Sequence, residues 1–179
     1  MNSTFNKFLR IIIVAILLVI SAAVLFGIWY KYTYSMKEAM SREINDPKLA
    51  TKVLIATQGS DFKDQVVSGI IDKLSDRPIY IKVTDIKELA NINPPDWTAI
   101  VIIHTWEVGR PPKPVSEFVK NTNTSDLIIL ATSGDGNYHI GGVDGITSAS
   151  KLTDVDHCVR EIMNRIEIKL APEEISNIQ

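Results

Sequence analysis

The chain has 179 residues, enough for one folded domain and a short extension. It carries 19 Lys and Arg residues against 21 Asp and Glu residues, and every acidic residue lies beyond Tyr30, so the domain itself is mildly acidic. This charge argues against nucleic acid as a partner. The single cysteine, Cys158, excludes an intrachain disulfide, and neither it nor the three histidines show the spacing of a metal site.

The first predicted element is a transmembrane helix over residues 11–30, from Ile11 to Tyr30, behind an N-terminal tail of residues 1–10. The segment contains no charged residue and consists mainly of Ile, Leu, Val and Ala. A helix of this length is about 30 Å long, which matches the hydrocarbon core of a bilayer. Aromatic residues crowd its far end, as in the interfacial belt of membrane proteins: Trp29, Tyr30, Tyr32 and Tyr34. The sequence therefore predicts a single-pass protein anchored in the lipid bilayer.

A cleaved signal peptide is the alternative for this segment, with a small-residue site at residues 21–23. The apolar run continues to Ile28, which is longer than a signal peptide requires, so we favour a retained anchor. Lys and Arg are slightly more numerous after the span than before it, which favours a cytoplasmic domain, although a basic N-terminus also suits N-terminus-in insertion. Residues 31–51 are predicted as a juxtamembrane linker, with a short helix over residues 36–44 that ends before Pro47.

Residues 52–170 are predicted to form one domain in which strands alternate with helices. An apolar run at residues 53–56 predicts a buried strand, and helix-spaced apolar residues from Phe62 to Leu74 predict the helix after it, with Asp61 as its N-cap. Residues 79–83 alternate apolar and polar, which indicates a strand nearer the edge of the sheet. Asp85 then caps a short helical turn.

Residues 99–103 are the most apolar run of the domain and predict a central parallel strand. A loop and a helix follow, and residues 127–131 form the next buried strand. The glycine-rich residues 132–142 form a long loop without a helix. Residues 143–150 hold a weak edge strand, and Thr153 or Asp154 caps the last helix, before a C-terminal tail of residues 171–179. The sequence thus predicts a three-layer α/β fold whose five parallel strands have the order 2-1-3-4-5.

Ligands of open parallel sheets sit at the carboxyl ends of the strands. Three loops lie at these ends: the first is Thr57 to Lys63, the second Thr105 to Glu107 and the third Ser133 to Tyr138. They give residues 52–169 a resemblance to the flavodoxin family. The first lies where flavodoxins hold the phosphate of FMN, the second where many place an aromatic side chain against the flavin, and the third is similar to a Gly-Asp loop that often ends in a tyrosine. The resemblance implies FMN as a cofactor and the following binding residues: Thr57, Gln58, Gly59, Ser60, Thr105, Trp106, Glu107, Ser133, Gly134, Asp135, Gly136 and Tyr138.

The side chains of these loops favour the flavin ring but disfavour its phosphate. Trp106 and Tyr138 are suitable walls for a flat, apolar ring. The first loop departs from the family pattern, because Gly59 replaces an expected threonine, Asp61 lies near an expected asparagine and Phe62 replaces a hydroxyl. A carboxylate beside a phosphate dianion is repulsive, by on the order of 1 kcal/mol or more once partly desolvated.

Two functions follow from this pattern. The favoured one is a membrane-anchored, flavodoxin-like domain with a degenerate FMN site, which acts as a non-catalytic binding or assembly module for a membrane protein partner. The alternative is an FMN-dependent electron-transfer protein that serves membrane redox partners. No nucleophile elbow or Walker motif is present, so no catalytic residue is assigned. His104 is expected to be structural, His139 could face a ligand, and Cys158 should be buried and inert.

Overall fold

The computed structural model describes residues 3–34, 36–107, 109–138, 140–143 and 145–171. It divides the chain into two compact units, Met1–Met36 and Lys37–Gln179. The first unit contains helix α1, Ser3–Tyr34. Its segment Lys7–Trp29 is long and apolar enough to cross a membrane. A signal sequence or a core helix can have the same length and composition. The side chains of this segment are exposed. Of the predicted aromatic belt, Trp29 packs on Phe26, while the side chains of the three tyrosines lie outside the described part.

The second unit is built on a sheet of seven strands among the described residues. They are β1 (Lys37–Glu38), β2 (Arg42–Ile44), β3 (Lys52–Gly59), β4 (Tyr80–Asp85), β5 (Ala99–Thr105), β6 (Leu127–Thr132) and β7 (Gly145–Ser148). Helices α2 (Asp61–Leu74), α3 (Lys113–Asn121) and α4 (Val155–Leu170) connect or follow them. The order is β2-β4-β3-β5-β6-β7, and the last five run parallel. The predicted order of five parallel strands is therefore confirmed.

The strands form where they do because both faces of the sheet are covered. Val53 and Ile55 point into one apolar cluster, which α2 and α4 cover. Leu54 and Ala56 point into a second cluster on the opposite face. Helix α3 and a 3₁₀ helix, Ile86–Asn91, cover that face. All four strand residues are fully buried, which explains the continuous apolar run in the sequence.

The crossover between β6 and β7 contains no helix among its described residues, as predicted. Ile140 and Val143 of this crossover pack on the second apolar cluster. They cover the part of the sheet that a helix covers elsewhere. Residues 172–179, most of the predicted tail, lie outside the described part of the chain.

The segment before β3 differs from the prediction. The short helix predicted over residues 36–44 is wrong, because β1 pairs with the end of β3 and β2 pairs antiparallel with β4. Asn45 adopts a left-handed backbone, φ 68°, and its side-chain amide donates to three carbonyl oxygens near the end of α2. Part of the predicted linker thus belongs to the sheet. Local patterning missed it because the segment is polar and pairs with residues far along the chain.

Candidate functional site

The three loops singled out in the sequence follow neighbouring strands of the sheet. Thr57 of β3 lies beside Ile103 of β5, Thr105 beside Thr132 of β6, and Thr132 beside Ser148 of β7. The ends of β3, β5 and β6, with the residues that follow them, are called the carboxyl edge below. Each of these strands is apolar in its middle. Strands β5 and β6 end in a threonine, and β3 ends in Thr57, Gln58 and Gly59, so polar groups collect at this edge.

The first predicted loop is almost absent. Strand β3 continues through Gly59, and α2 begins two residues later at Asp61. Ser60 alone connects them in an extended conformation, and its Oγ accepts a hydrogen bond from the Lys63 N–H at 3.3 Å. The predicted cap, Asp61, is therefore wrong: Ser60 is the N-cap, because the strand extends further than its apolar run indicates.

Strand β1 covers the end of β3. Gly59 lies opposite Lys37, and a Cβ atom on Gly59 would come within 2.8 Å of the carbonyl oxygen of Glu38. The Ala39 N–H donates to Asp85 Oδ2 at 2.8 Å, and Glu38 forms an exposed ion pair with Lys87. A glycine is required at position 59 because β1 approaches so closely.

A buried lysine lies at the centre of the carboxyl edge. Lys63, in the first turn of α2, is 1% exposed, and its Nζ donates to Thr105 Oγ1 at 2.7 Å. The hydroxyls of Thr105 and Thr132 share a further hydrogen bond of 2.8 Å. Burial lowers the pKa of Lys63 to about 8, and the charges of Asp64 and Glu107 oppose this shift. The ammonium therefore ties α2 to the ends of two strands.

Lys63 was not among the predicted site residues, although the sequence contains a signal for it. Its position lies three, four and seven residues before Val66, Val67 and Ile70, which form the buried stripe of α2. A lysine on the apolar stripe of a helix is expected to be buried. Its partner could not be read from the sequence, because Thr105 is 42 residues away.

Gln58 links the first and second loops. Its side chain is 5% exposed, its Oε1 accepts from the Thr105 N–H at 2.7 Å, and its Nε2 donates to Glu107 Oε1 at 3.1 Å. Glu107 also closes a tight turn with Arg110 through two backbone hydrogen bonds. Thr57, by contrast, is buried, and its hydroxyl donates to the neighbouring carbonyl of Gln58.

The aromatic side chains form a column. The ring centroids of Trp106 and Tyr138 are 5.2 Å apart, and those of His104 and Trp106 are 6.5 Å apart. The column runs from the fully buried His104 to Tyr138, which is 47% exposed. Burial lowers the pKa of His104 to about 4, so this histidine is neutral at pH 7. His139, which the sequence analysis allowed to face a ligand, lies outside the described residues.

The third loop begins with a compact turn. Ser133 Oγ donates to Asp135 Oδ1 at 2.7 Å and accepts from the Gly136 N–H at 2.9 Å. The hydrogen bond from Ser133 lowers the pKa of Asp135. Gly136 has φ +73°, and a Cβ there would lie 2.8 Å from the Ala149 N atom. Gly134 has open space around it. The polar groups of this turn are thus engaged with one another.

FMN would need a phosphate cradle and a slot for its ring, and the described residues form neither. The cradle is missing because β3 passes directly into α2, with Asp61 and Asp64 in the first helical turn. A ring between Trp106 and Tyr138 would need the two rings about 7 Å apart, twice the carbon contact distance of about 3.5 Å. They are 5.2 Å apart. The arrangement as it stands therefore does not fit FMN.

No protein-family model matches the chain, and no curated protein matches it. The parallel strand order 2-1-3-4-5 is the order of flavodoxin. The second unit has a flavodoxin-like fold. Among solved structures, a flavodoxin from the domain Archaea has 10% sequence identity and a TM-score of 0.46, over 66% of this chain and 99% of that chain.

Two further solved structures are similar to this chain. Oxidised Flavodoxin 2 from Bacillus cereus has 15% identity and a TM-score of 0.40, over 65% of this chain and 99% of that chain. The Flv1 flavodiiron core from Synechocystis has 9% identity and a TM-score of 0.46, over 68% of this chain and 36% of that chain.

Proposed function

We propose that this protein is a membrane-tethered binding module that uses the carboxyl edge of its sheet without a flavin. The observation that supports this most directly is the pairing of β1 with Gln58 and Gly59. It places a polypeptide strand along the residues that would otherwise wrap around a phosphate. The edge is instead held together by its own side chains, through Lys63, Thr105 and Gln58. Each of these hydrogen bonds joins two groups of the protein itself.

The exposed end of the aromatic column suits a protein partner. Tyr138 is 47% exposed and rests on Trp106. Tyrosine and tryptophan are enriched among the residues that dominate the energy of protein interfaces. Because Gln58 and the turn at Glu107 fix the backbone beneath Trp106, little conformational entropy is lost when a partner binds. We propose a membrane protein as this partner.

Helix α1 would supply the membrane tether, with its apolar segment Lys7–Trp29 in the bilayer and the domain on the cytoplasmic side. A tether raises the effective concentration of the domain near membrane partners. The intact mass of the protein purified from membranes tests retention of the helix, because signal cleavage would remove the residues before the site at 21–23. Protease digestion of sealed membrane vesicles tests on which side of the membrane the domain lies. A cytoplasmic domain is digested only when the protease is on the cytoplasmic side of the membrane.

The absence of a flavin is tested on the full chain purified in detergent. We expect a colourless protein whose addition leaves the fluorescence of free FMN unchanged. Absorption bands of oxidised flavin, or saturable quenching of FMN fluorescence, would refute the proposal. They would support the alternative function, an FMN-dependent electron carrier with Trp106 and Tyr138 beside the ring. The aromatic pair supports that alternative, which requires the rings of Trp106 and Tyr138 to move apart.

A further inference from the structure

A cleft lies at the amino end of β6, at the opposite edge of the sheet from the carboxyl edge. Its volume is about 440 Å³. Three segments line it: the residues around the start of β6, the crossover between β6 and β7, and the last turns of α4. Small-molecule sites are typically clefts of about 300–1,000 Å³. The cleft is therefore large enough for a small ligand, and the binding function proposed above does not use it.

The described lining of the cleft is partly apolar. Leu127 and Ile128, the first residues of β6, are almost fully buried, so they lie at its base. Ile168 of α4 also lines the cleft, and it is 71% exposed. On the side of the crossover, Gly142 has φ +78°, and a Cβ atom on it would have no heavy atom within 4 Å. The cleft thus presents apolar surface to a ligand, chiefly that of Ile168.

The charge of the cleft comes from α4. Two of its described lining residues, Arg165 and Lys169, are cationic, and none is acidic. They lie four residues apart, so both project from one face of the helix. Arg165 donates to Glu161 Oε2 at 2.9 Å, which lowers the pKa of Glu161 and balances the charge of the guanidinium. Lys169 donates to the carbonyl oxygen of Ser125 and forms no ion pair with any described residue. The ammonium of Lys169 is therefore the charge that a ligand can neutralise.

These groups define the complementary ligand. An ammonium has three N–H groups, so Lys169 keeps two donors beside the one that Ser125 accepts. Donors of this kind bind a carboxylate through charge-assisted hydrogen bonds. The hydroxyl of Thr124 and the side-chain amide of Asn123 also line the cleft. One ammonium balances one negative charge, and the exposed Ile168 favours an apolar body. The complementary ligand is thus a monoanion with an apolar part.

We propose that this cleft binds a small organic monocarboxylate, whose carboxylate accepts hydrogen bonds from Lys169 and whose apolar part lies against Ile168. Inorganic phosphate has the negative charge but no apolar part. A neutral amide of the same shape has the apolar part but no charge. Binding here does not require the carboxyl edge, because the two lie at opposite ends of the strands.

The test uses the full chain in detergent micelles with ¹³C-labelled isoleucine δ1 methyl groups, at constant ionic strength and pH 7. Ile168→Leu identifies the Ile168 signal by its disappearance, and Ile16→Leu identifies one signal of α1. Sodium isovalerate is the probe, with isovaleramide and sodium phosphate as matched compounds. We expect isovalerate to shift the Ile168 signal saturably and more strongly than either matched compound does. The Ile16 signal should not move, which excludes an effect of isovalerate on the micelle.

Replacing the lysine tests its role in binding. Lys169→Met should raise the Kd for isovalerate at least about tenfold, or about 1.4 kcal/mol, because the charge-assisted hydrogen bonds are lost. Lys73→Met, at an exposed position in the last turn of α2, should leave the Kd unchanged. An equal loss in both variants would overturn the role of Lys169. Equal or larger shifts with isovaleramide or phosphate would overturn the ligand class, and an unresponsive Ile168 signal would overturn the site. None of these results bears on flavin binding, which tests the proposed function separately.

Discussion

Replacing the buried Lys63 by methionine tests how the carboxyl edge is held together. The side chain is 1% exposed and has one neutral hydrogen-bond acceptor, Thr105 Oγ1, among the described residues. Its pKa is about 8 in the folded protein, against 10.5 for an ordinary lysine. Because the folded state disfavours the charged form, the ammonium opposes folding at neutral pH. At about 1.36 kcal/mol per pKa unit, the difference amounts to roughly 3 kcal/mol.

The sign of the pH dependence follows from proton binding. Below pH 8 both states carry the proton, and the unfavourable burial of the charge is fully present. Between about pH 8 and 10.5 the folded state has released the proton while the unfolded state retains it, so the free energy of unfolding rises with pH. Cys158 and Tyr80 act in the opposite direction in the alkaline range, because burial raises the pKa of both groups.

The difference between the wild type and Lys63→Met isolates the lysine, since Cys158 and Tyr80 are present in both proteins. Methionine has a similar length, and the hydroxyls of Thr105 and Thr132 can still bond to each other. At pH 7 we expect the variant to be more stable by up to about 3 kcal/mol, because replacing a buried charge by a hydrophobic side chain of similar volume is often stabilising. This advantage should vanish as the pH approaches about 10.5.

The measurement is urea denaturation of the full chain in detergent, followed by tryptophan fluorescence, at several pH values between 7 and about 10.5. Lys73→Met is the matched control, because Lys73 lies in the last turn of the same helix and is exposed. Its difference curve should be flat. A flat difference curve for Lys63→Met would show that folding does not lower the pKa of Lys63. A loss of more than about 1 kcal/mol at pH 7 would show that the lysine stabilises the fold.

Substitutions at three further positions, Gly59, Asn45 and Trp106, test the packing of the domain by urea denaturation. Gly59→Ala should cost about 1–3 kcal/mol, because the new methyl group would meet the β1 backbone, whereas Gly134→Ala has open space and should cost little; equal effects would contradict the close approach of β1. Asn45→Gly removes the three side-chain hydrogen bonds and should cost about 1–3 kcal/mol. Asn45→Ala should cost about 1–2 kcal/mol more, because φ is 68°. Trp106→Ala should cost less than the roughly 3–5 kcal/mol of a core aromatic residue, and a larger loss would assign Trp106 to the core.

The regular part of the fold was predictable from local patterns. Residues 99–103 are uniformly apolar because β5 is covered on both faces, and α2 shows its buried stripe in the spacing of Val66, Val67 and Ile70. The two short strands β1 and β2 were not predictable, because they are polar and owe their conformation to pairing with β3 and β4.

The candidate site was likewise predictable in part: its position follows from the sequence, and its chemistry does not. Its position follows from the strand order, and Gln58, Trp106 and Tyr138 do lie at the carboxyl edge. Its chemistry does not follow from the sequence. The spacing of α2 places Lys63 on its apolar stripe but does not indicate its partner, because only folding brings Lys63 Nζ within 2.7 Å of Thr105 Oγ1.

The amino-acid sequence by itself determined an apolar N-terminal helix and an alternation of buried strands and amphipathic helices, because hydrophobic periodicity is a local property of the chain. Tertiary structure alone decided that β1 covers the end of β3, that the Lys63 ammonium meets Thr105, and that Trp106 packs on Tyr138. These features depend on contacts between residues distant in sequence, and the free energy of such contacts is set by burial and geometry that no local pattern contains.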